Sequence, residues 1–220
     1  MNRLPLPQQQ LWPTLRGVSD LGFVLYGGTA IALRLGHRES VDFDFFSDDR
    51  LDRGKLTKRL PFLANASVLQ DEPDTWVLQT SPDDDGQAAG VKVSFFCGIT
   101  FGRVGEPDIT EDGVMEVACL EDLMATKLKV LLQRAQAKDY RDIAVMLAAG
   151  VDLSRALGAA SRLFGTNFQP LESLRALNYF RDGDLETLGA NDRKILVQAT
   201  KAVTATLPSV PLLSHRLSAR

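Results

Sequence analysis

The chain has 220 residues, 45% of them hydrophobic and 24% charged, with a formal net charge of −3 and a pI near 5.5. A chain of this size buries roughly 70% of its unfolded surface, enough for a core without staples, so the composition excludes a disordered protein. The acidic balance speaks against a generic nucleic-acid coat while leaving room for a local basic surface, and no apolar run reaches the ~18 residues of a membrane span.

In chain order, the opening MNRLPLPQQQLWP has no apolar stretch long enough for a signal peptide. Residues 7–20 read as helical, with Pro13 starting or kinking the helix. Phe23 to Tyr26 is a short buried strand closed by Gly27-Gly28. Thr29 to Leu35 reads as a helix with Thr29 or Gly28 near its N-cap. Residues 36–40 turn the chain into a second strand, Val41 to Phe46. A helix follows over 51–63 and ends near Pro61. Arg50, Arg53, Lys55, Lys58 and Arg59 put five cations within ten residues here. They are either a solvated helix face or a basic surface. Strands are expected at about 66–70, 75–80 and 91–97, the last two joined by an acidic, glycine-containing loop at 82–90. A short strand near 114–117 precedes Leu120, beyond which helices are expected at 120–135, 139–149, 152–164, 170–178 and 191–206. Disorder is expected only in the first few residues and the last ten. Cys97 and Cys119 lack CxxC spacing and only two histidines accompany them, which argues against structural zinc and a disulfide framework. Both thiols read as small core hydrophobes in a reducing cytosol. The order of elements implies an α/β (α+β) fold: a core over 1–118, then a helical part over 119–220.

The chemical information is concentrated in Tyr26-Gly27-Gly28, thirteen further residues, and Asp42-Phe43-Asp44-Phe45. Strand side chains alternate faces, so Asp42 and Asp44 project together while Phe43 and Phe45 anchor the opposite face. Two neighbouring carboxylates repel one another, and a bound divalent cation relieves that repulsion. The glycines let the backbone approach a ligand, and the N–H groups starting the helix at Gly27, Gly28 and Thr29 favour phosphate. Together these residues would hold an NTP through Mg²⁺, or Mn²⁺, on Asp42 and Asp44. Such an arrangement suits in-line displacement at phosphorus. Neither a GxxxxGK[ST] loop nor an HRD/DFG set is present, which argues against a conventional kinase.

Further on, Lys127 points into the apolar stripe formed by Leu120, Leu123, Met124, Val130 and Leu131, and Arg134 continues the same line. Asp139 shares a face with Ile143, Met146 and Leu147, with Asp142 at its edge. The pattern alone leaves two readings: functional groups, or a snorkelling lysine, a helix cap and an exposed Lys138/Asp142 pair.

The hydrophobic-Gly-Gly pattern followed by Asp-hydrophobic-Asp-hydrophobic resembles the signature of DNA-polymerase-β-like nucleotidyltransferases. The string GGTAIALRLGHRESVDFDFFS, with DLMATKLKVLLQRAQAKDYRD, resembles the AbiEii/AbiGii toxin family. That resemblance implies a nucleotidyltransferase fold, a mixed sheet flanked by helices, with residues 119–220 completing the active site. Matched position by position, Lys127 is the family's essential lysine, contacting triphosphate or leaving group. Asp139 is its essential aspartate, acting as general base or orienting the site, and Asp142 is the second acid. The resemblance further implies NMP transfer to a hydroxyl, with a tRNA 3′ end as a candidate acceptor and a cognate antitoxin as partner. The basic run, with Lys129 and Arg141, would then hold the acceptor backbone.

One departure stands out. The superfamily commonly places a third carboxylate on a later strand beside the Asp-x-Asp strand, and here Ser94 occupies that place. Asp139 or another acid would complete the site, a second metal would bind weakly, or the chain would be a non-catalytic nucleotide-binding module of the same fold. For Lys127, a phosphate-contacting role in a core-like position predicts that Lys127→Met removes activity without loss of stability.

Overall fold

The period-two stretch Asp42 to Phe46 forms the strand around which the first half of the chain is built. The structure, a computed structural model, describes residues 4–81 and 90–220, so the acidic loop expected at 82–90 falls, Gly90 apart, outside the described residues. The chain forms two compact units. The first comprises Met1–Gly102, Glu106–Ala118 and Ser214–Arg220, and the second Arg103–Gly105 and Cys119–Leu213.

The first unit contains strands β1 (Val24–Tyr26), β2 (Asp42–Phe46), β3 (Ser67–Glu72), β4 (Thr75–Gln79), β5 (Lys92–Phe96), β6 (Asp108–Ile109) and β7 (Glu116–Val117). Among the described residues they form one seven-stranded mixed sheet in the order β3-β4-β5-β2-β1-β7-β6. β2 lies inside the sheet, antiparallel to β1 and parallel to β5. The alternation in β2 is realised as expected from its sequence: Phe43 and Phe45 are 0% exposed, while Asp42 and Asp44 are half-buried. Phe45 stacks on Phe95 at 5.5 Å between ring centroids, and Trp12 meets Phe43 at 5.9 Å. Each fully buried phenylalanine contributes about 1.5–3 kcal/mol, which fixes the strand that carries the acids.

Helices α1 (Leu6–Leu11), α2 (Arg16–Ser19), α3 (Gly27–Leu35) and α4 (Arg53–Arg59) belong to the same unit. Pro13 lies in a 3-10 turn between α1 and α2, where its missing N–H breaks the helical ladder. α4 stops short of Pro61, which opens a separate 3-10 turn. α3 starts at Gly27, two residues before the expected start at Thr29, with Tyr26 in place of Thr29 or Gly28 at its N-cap. Thr29 is buried instead, its hydroxyl hydrogen-bonding the Asp42 carbonyl oxygen and Ser40 Oγ, the latter at 3.0 Å. The final residues are ordered: Leu217 is fully buried, its N–H donates to Asp48 at 3.0 Å, and Arg220 pairs with Asp20 at 3.2 Å.

The second unit is helical: α5 (Leu120–Val130), α6 (Ala137–Ala148), α7 (Leu153–Phe164), α8 (Pro170–Ala176) and α9 (Ala190–Ala202). Asp152 caps α7 by accepting from the Arg155 N–H at 2.7 Å. Cys119 caps α5, its sulfur accepting from the Asp122 N–H at 3.4 Å, so this thiol does more than fill core space. Burial pushes the Cys119 thiol up to about 12, aided by the Asp122 carboxylate beside it, and burial pushes Cys97 up to about 12 as well. At pH 8 only about one thiol in ten thousand is then ionised. Both cysteines are therefore expected to react with a disulfide reagent at pH 8 only after unfolding, which absorbance on titration with and without urea will show. No helix among the described residues is long and apolar enough to cross a membrane.

Candidate functional site

In the first unit, the β2–β5 register places Asp42 opposite Lys92 and Asp44 opposite Ser94. The four side chains therefore share one face of the sheet. Tyr26, opposite Asp44 on β1, leads directly into Gly27 and α3. Gly27 has φ +71°, a conformation that side-chain-bearing residues rarely adopt, and a Cβ added there would collide with the Asp44 carboxylate. A Cβ on Gly28 would collide with the Arg38 guanidinium and lie 3.0 Å from Ser40 Oγ. The close approach that the two glycines permit is thus made first by the chain's own acid and guanidinium. Gly27→Ala should cost about 1–3 kcal/mol of stability through backbone strain and displacement of Asp44, to be read from the urea midpoint.

Ser94 is buried beside Asp44, and β5 brings no third carboxylate to this face. Its cationic neighbour is the residue that sequence reasoning missed: Lys92 Nζ lies 3.2 Å from Asp42 Oδ2, with the Asp42 side chain 32% exposed. Alternation along β5 carries the signal for Lys92, but only the register reveals which acid it faces. Among the described residues no group of three or more His, Cys, Asp or Glu side chains is arranged to hold a metal ion. Two carboxylates match the way Mg²⁺ usually binds, through one or two acids plus substrate phosphates instead of an all-protein cage.

The basic run is largely neutralised. Arg53 pairs with Asp71, Arg59 with Asp20, Lys55 with Asp52 at 3.6 Å and Arg50 with Asp74 at 3.5 Å. Arg141 Nη2 donates to Thr187, and Lys129 to the Asn167 carbonyl oxygen.

In the second unit, the remaining candidates meet. Lys127 Nζ, on α5, lies 2.6 Å from Asp139 Oδ1 and 2.7 Å from Asp142 Oδ2, both on α6. The two acid side chains are 0% exposed and that of Lys127 8%. Arg134 closes the cluster, its Nε 2.8 Å from Asp139 Oδ2 and its Nη2 3.2 Å from Oδ1. Asp142 is therefore no exposed partner of Lys138, and Lys127 does not snorkel: its ammonium stays inside between two carboxylates. Burial pushes the Asp139 carboxyl up, but hydrogen bonds from Arg134 and the Lys127 ammonium outweigh it and hold the group below its usual range.

A mixed sheet with two acids on an inner strand, approached by a strand–glycine–helix turn, has the architecture of the nucleotidyltransferases. Two solved structures share that fold: JHP933 from Helicobacter pylori, 20% identical, TM-score 0.59, covering 89% of this chain and 90% of that one, and MenT4, a nucleotidyltransferase toxin from Mycobacterium tuberculosis, 15% identical, TM-score 0.59, covering 91% and 84%. Residues 15–202 match the family described as Nucleotidyl transferase AbiEii toxin, Type IV TA system, and the chain belongs to that family. An uncharacterized protein of Aquifex aeolicus is 29% identical over 149 residues, which span 65% of this chain and 66% of that protein.

Proposed function

We propose that the chain is a metal-dependent nucleotidyltransferase that moves NMP from an NTP to a hydroxyl acceptor and releases pyrophosphate. The observation that carries this reading is the pair Asp42 and Asp44 on one face of a rigid inner strand, with the Gly27 turn fitted against Asp44. Mg²⁺ or Mn²⁺ bound there would supply charge neutralisation at the phosphates. Asp42 and Asp44 would ligate it. Lys92 steadies Asp42, and the N–H groups at Gly28 and Thr29 offer phosphate donors.

Lys127 is given the phosphate contact that family resemblance implies. For Asp139, orientation fits better than a general-base role. A base must reach the proton it takes, and Asp139 is fully buried, with both oxygens accepting hydrogen bonds from cations. Asp142 completes the hold on Lys127.

Family membership supports a toxin role with an antitoxin as protein partner, and a cytoplasmic location goes with that reading. A tRNA 3′ end is the acceptor to test first. With most of this basic run already paired to acids, the run offers little diffuse phosphate grip, which favours an acceptor recognised at its end over one held along its length. Ser94 beside Asp44 supports the second reading, a nucleotide-binding module without turnover. Incubation with each labelled NTP, Mg²⁺ and total tRNA separates the two. Transfer that disappears in Asp42→Asn, with folding intact, supports the enzyme. Thermal stabilisation by nucleotide without transfer to any acceptor supports the module.

A further inference from the structure

The carboxylate of Asp42, assigned to a divalent cation, is already engaged by the chain itself: Lys92 Nζ lies 3.2 Å from its Oδ2. A cation such as Mg²⁺ sits about 2.1 Å from the oxygen it binds. An ammonium and a divalent cation on one carboxylate are then only a few ångström apart, where like charges repel strongly near a protein surface. Asp42 therefore serves Lys92 or the cation, and not both equally well. β4 brings no further acid to this row, because the residue beside Lys92 on that strand is Gln79.

The pair is built to part. Its side chains are 38% and 32% exposed, and an ion pair so open to water loses little when it separates. Lysine carries its charge on a flexible four-carbon stem with rotatable donors, unlike the fixed fork of arginine. A destination lies close by. α3, whose first N–H groups are the proposed phosphate donors, is tied to Asp42 itself, because the Thr29 hydroxyl donates to the Asp42 carbonyl oxygen. A phosphate on those donors arrives beside the residue that holds Lys92. From these contacts we infer that Lys92 is a lock on the cation site that polyphosphate opens. Its ammonium holds Asp42 against a free cation, and passes to a phosphate oxygen when cation and polyphosphate come together. Lys92 is thus a positioning residue that makes cation uptake depend on nucleotide, beyond steadying Asp42. The inference rests on the reading of Asp42 as a cation ligand.

The experiment compares the wild-type chain, Lys92→Met, Lys92→Arg and Asp42→Asn with two probes. One is Mn²⁺ alone, followed by water-proton relaxation. The other is the pre-formed equimolar complex of Mn²⁺ with tripolyphosphate, followed by calorimetry. Lys92→Met is expected to bind Mn²⁺ alone about fivefold more tightly, the upper end for an exposed ion pair, and the complex about twofold or more less tightly for want of the ammonium. The opposite directions are the signature, because removing a residue that only steadied Asp42 would weaken both. Lys92→Arg keeps the charge and is expected to bind Mn²⁺ alone no more tightly than wild type. Lys92→Gln repeats the series should methionine perturb the strand. Lys92→Met binding Mn²⁺ alone no more tightly than wild type, or binding the complex more tightly, overturns the inference. Asp42→Asn with wild-type affinity for both probes, or a wild type that binds neither, removes the cation assignment and the inference with it. A failure confined to the Lys92 variants leaves that assignment standing.

Discussion

Asp44→Asn is expected to reduce nucleotidyl transfer by about 10³-fold or more while leaving the first unit folded. Asparagine keeps the shape of the side chain against Gly27, so the turn between β1 and α3 has no reason to move. What it removes is one of two carboxylates on the shared face. The face on which Lys92 pairs with Asp42 loses one negative charge in the variant. One negative charge fewer weakens the attraction for a divalent cation, and a site with two protein ligands cannot give one up without losing most of its affinity. Stability should change by less than about 1 kcal/mol, because separating like charges offsets what the amide loses in hydrogen bonding. Two measurements check the result: label transfer at saturating NTP, and line broadening of the Gly27 and Gly28 amide resonances by Mn²⁺. Full transfer by Asp44→Asn would remove the acid pair from the chemistry. Broadening that persists unchanged would move the cation elsewhere.

The acid strand was legible because a strand has a period of two and the pattern Asp-Phe-Asp-Phe states it without ambiguity. Its packing partners were partly legible too, since the glycine turn and the period of β5 lie in short stretches of chain. Three things were not legible, each for its own physical reason. β6 is two residues long, too short to show any period. Lys92 faces Asp42 through strand register, and no local pattern encodes which residue of β5 sits beside which residue of β2. The return of Ser214–Arg220 to the first unit depends on Asp20 and Asp48, residues from the other end of the chain, meeting Arg220, Arg216 and the Leu217 N–H. A polar, aperiodic tail gives no hint of such anchors. The start of α3 departs from its local pattern for a related reason: threonine at a helix start usually caps, but Thr29 is drawn inward by Ser40 and the Asp42 carbonyl oxygen.

Lys127 shows how burial of the partners reverses an expectation drawn from the helix pattern alone. By that pattern a lysine among leucines is replaceable by methionine at no cost to stability. With both carboxylates of its pair at 0% exposure, removing the ammonium strands buried negative charge. Lys127→Met is therefore expected to destabilise by about 3–5 kcal/mol, roughly 6–20 °C in the melting temperature of a chain this long. Asp139 keeps Arg134 in that variant. Adding Asp142→Asn to Lys127→Met removes one of the two acids that faced the ammonium and should return part of that loss without restoring transfer, which separates the structural part of the cluster from its chemical part. The pH dependence has a fixed sign. Asp139 has its folded carboxyl held below the ordinary value of 3.8, so the unfolded chain binds more protons around that pH. The stabilisation from Asp139 is then fully present above about pH 4 and fades as the pH falls toward the folded value. Wild-type stability should be level in this respect from neutral pH down to about pH 5 and drop below it. Melting curves of the wild type, Lys127→Met and the double variant across that range test the scheme. A Lys127→Met chain as stable as wild type at neutral pH would mean that the ammonium does not sit between the two acids.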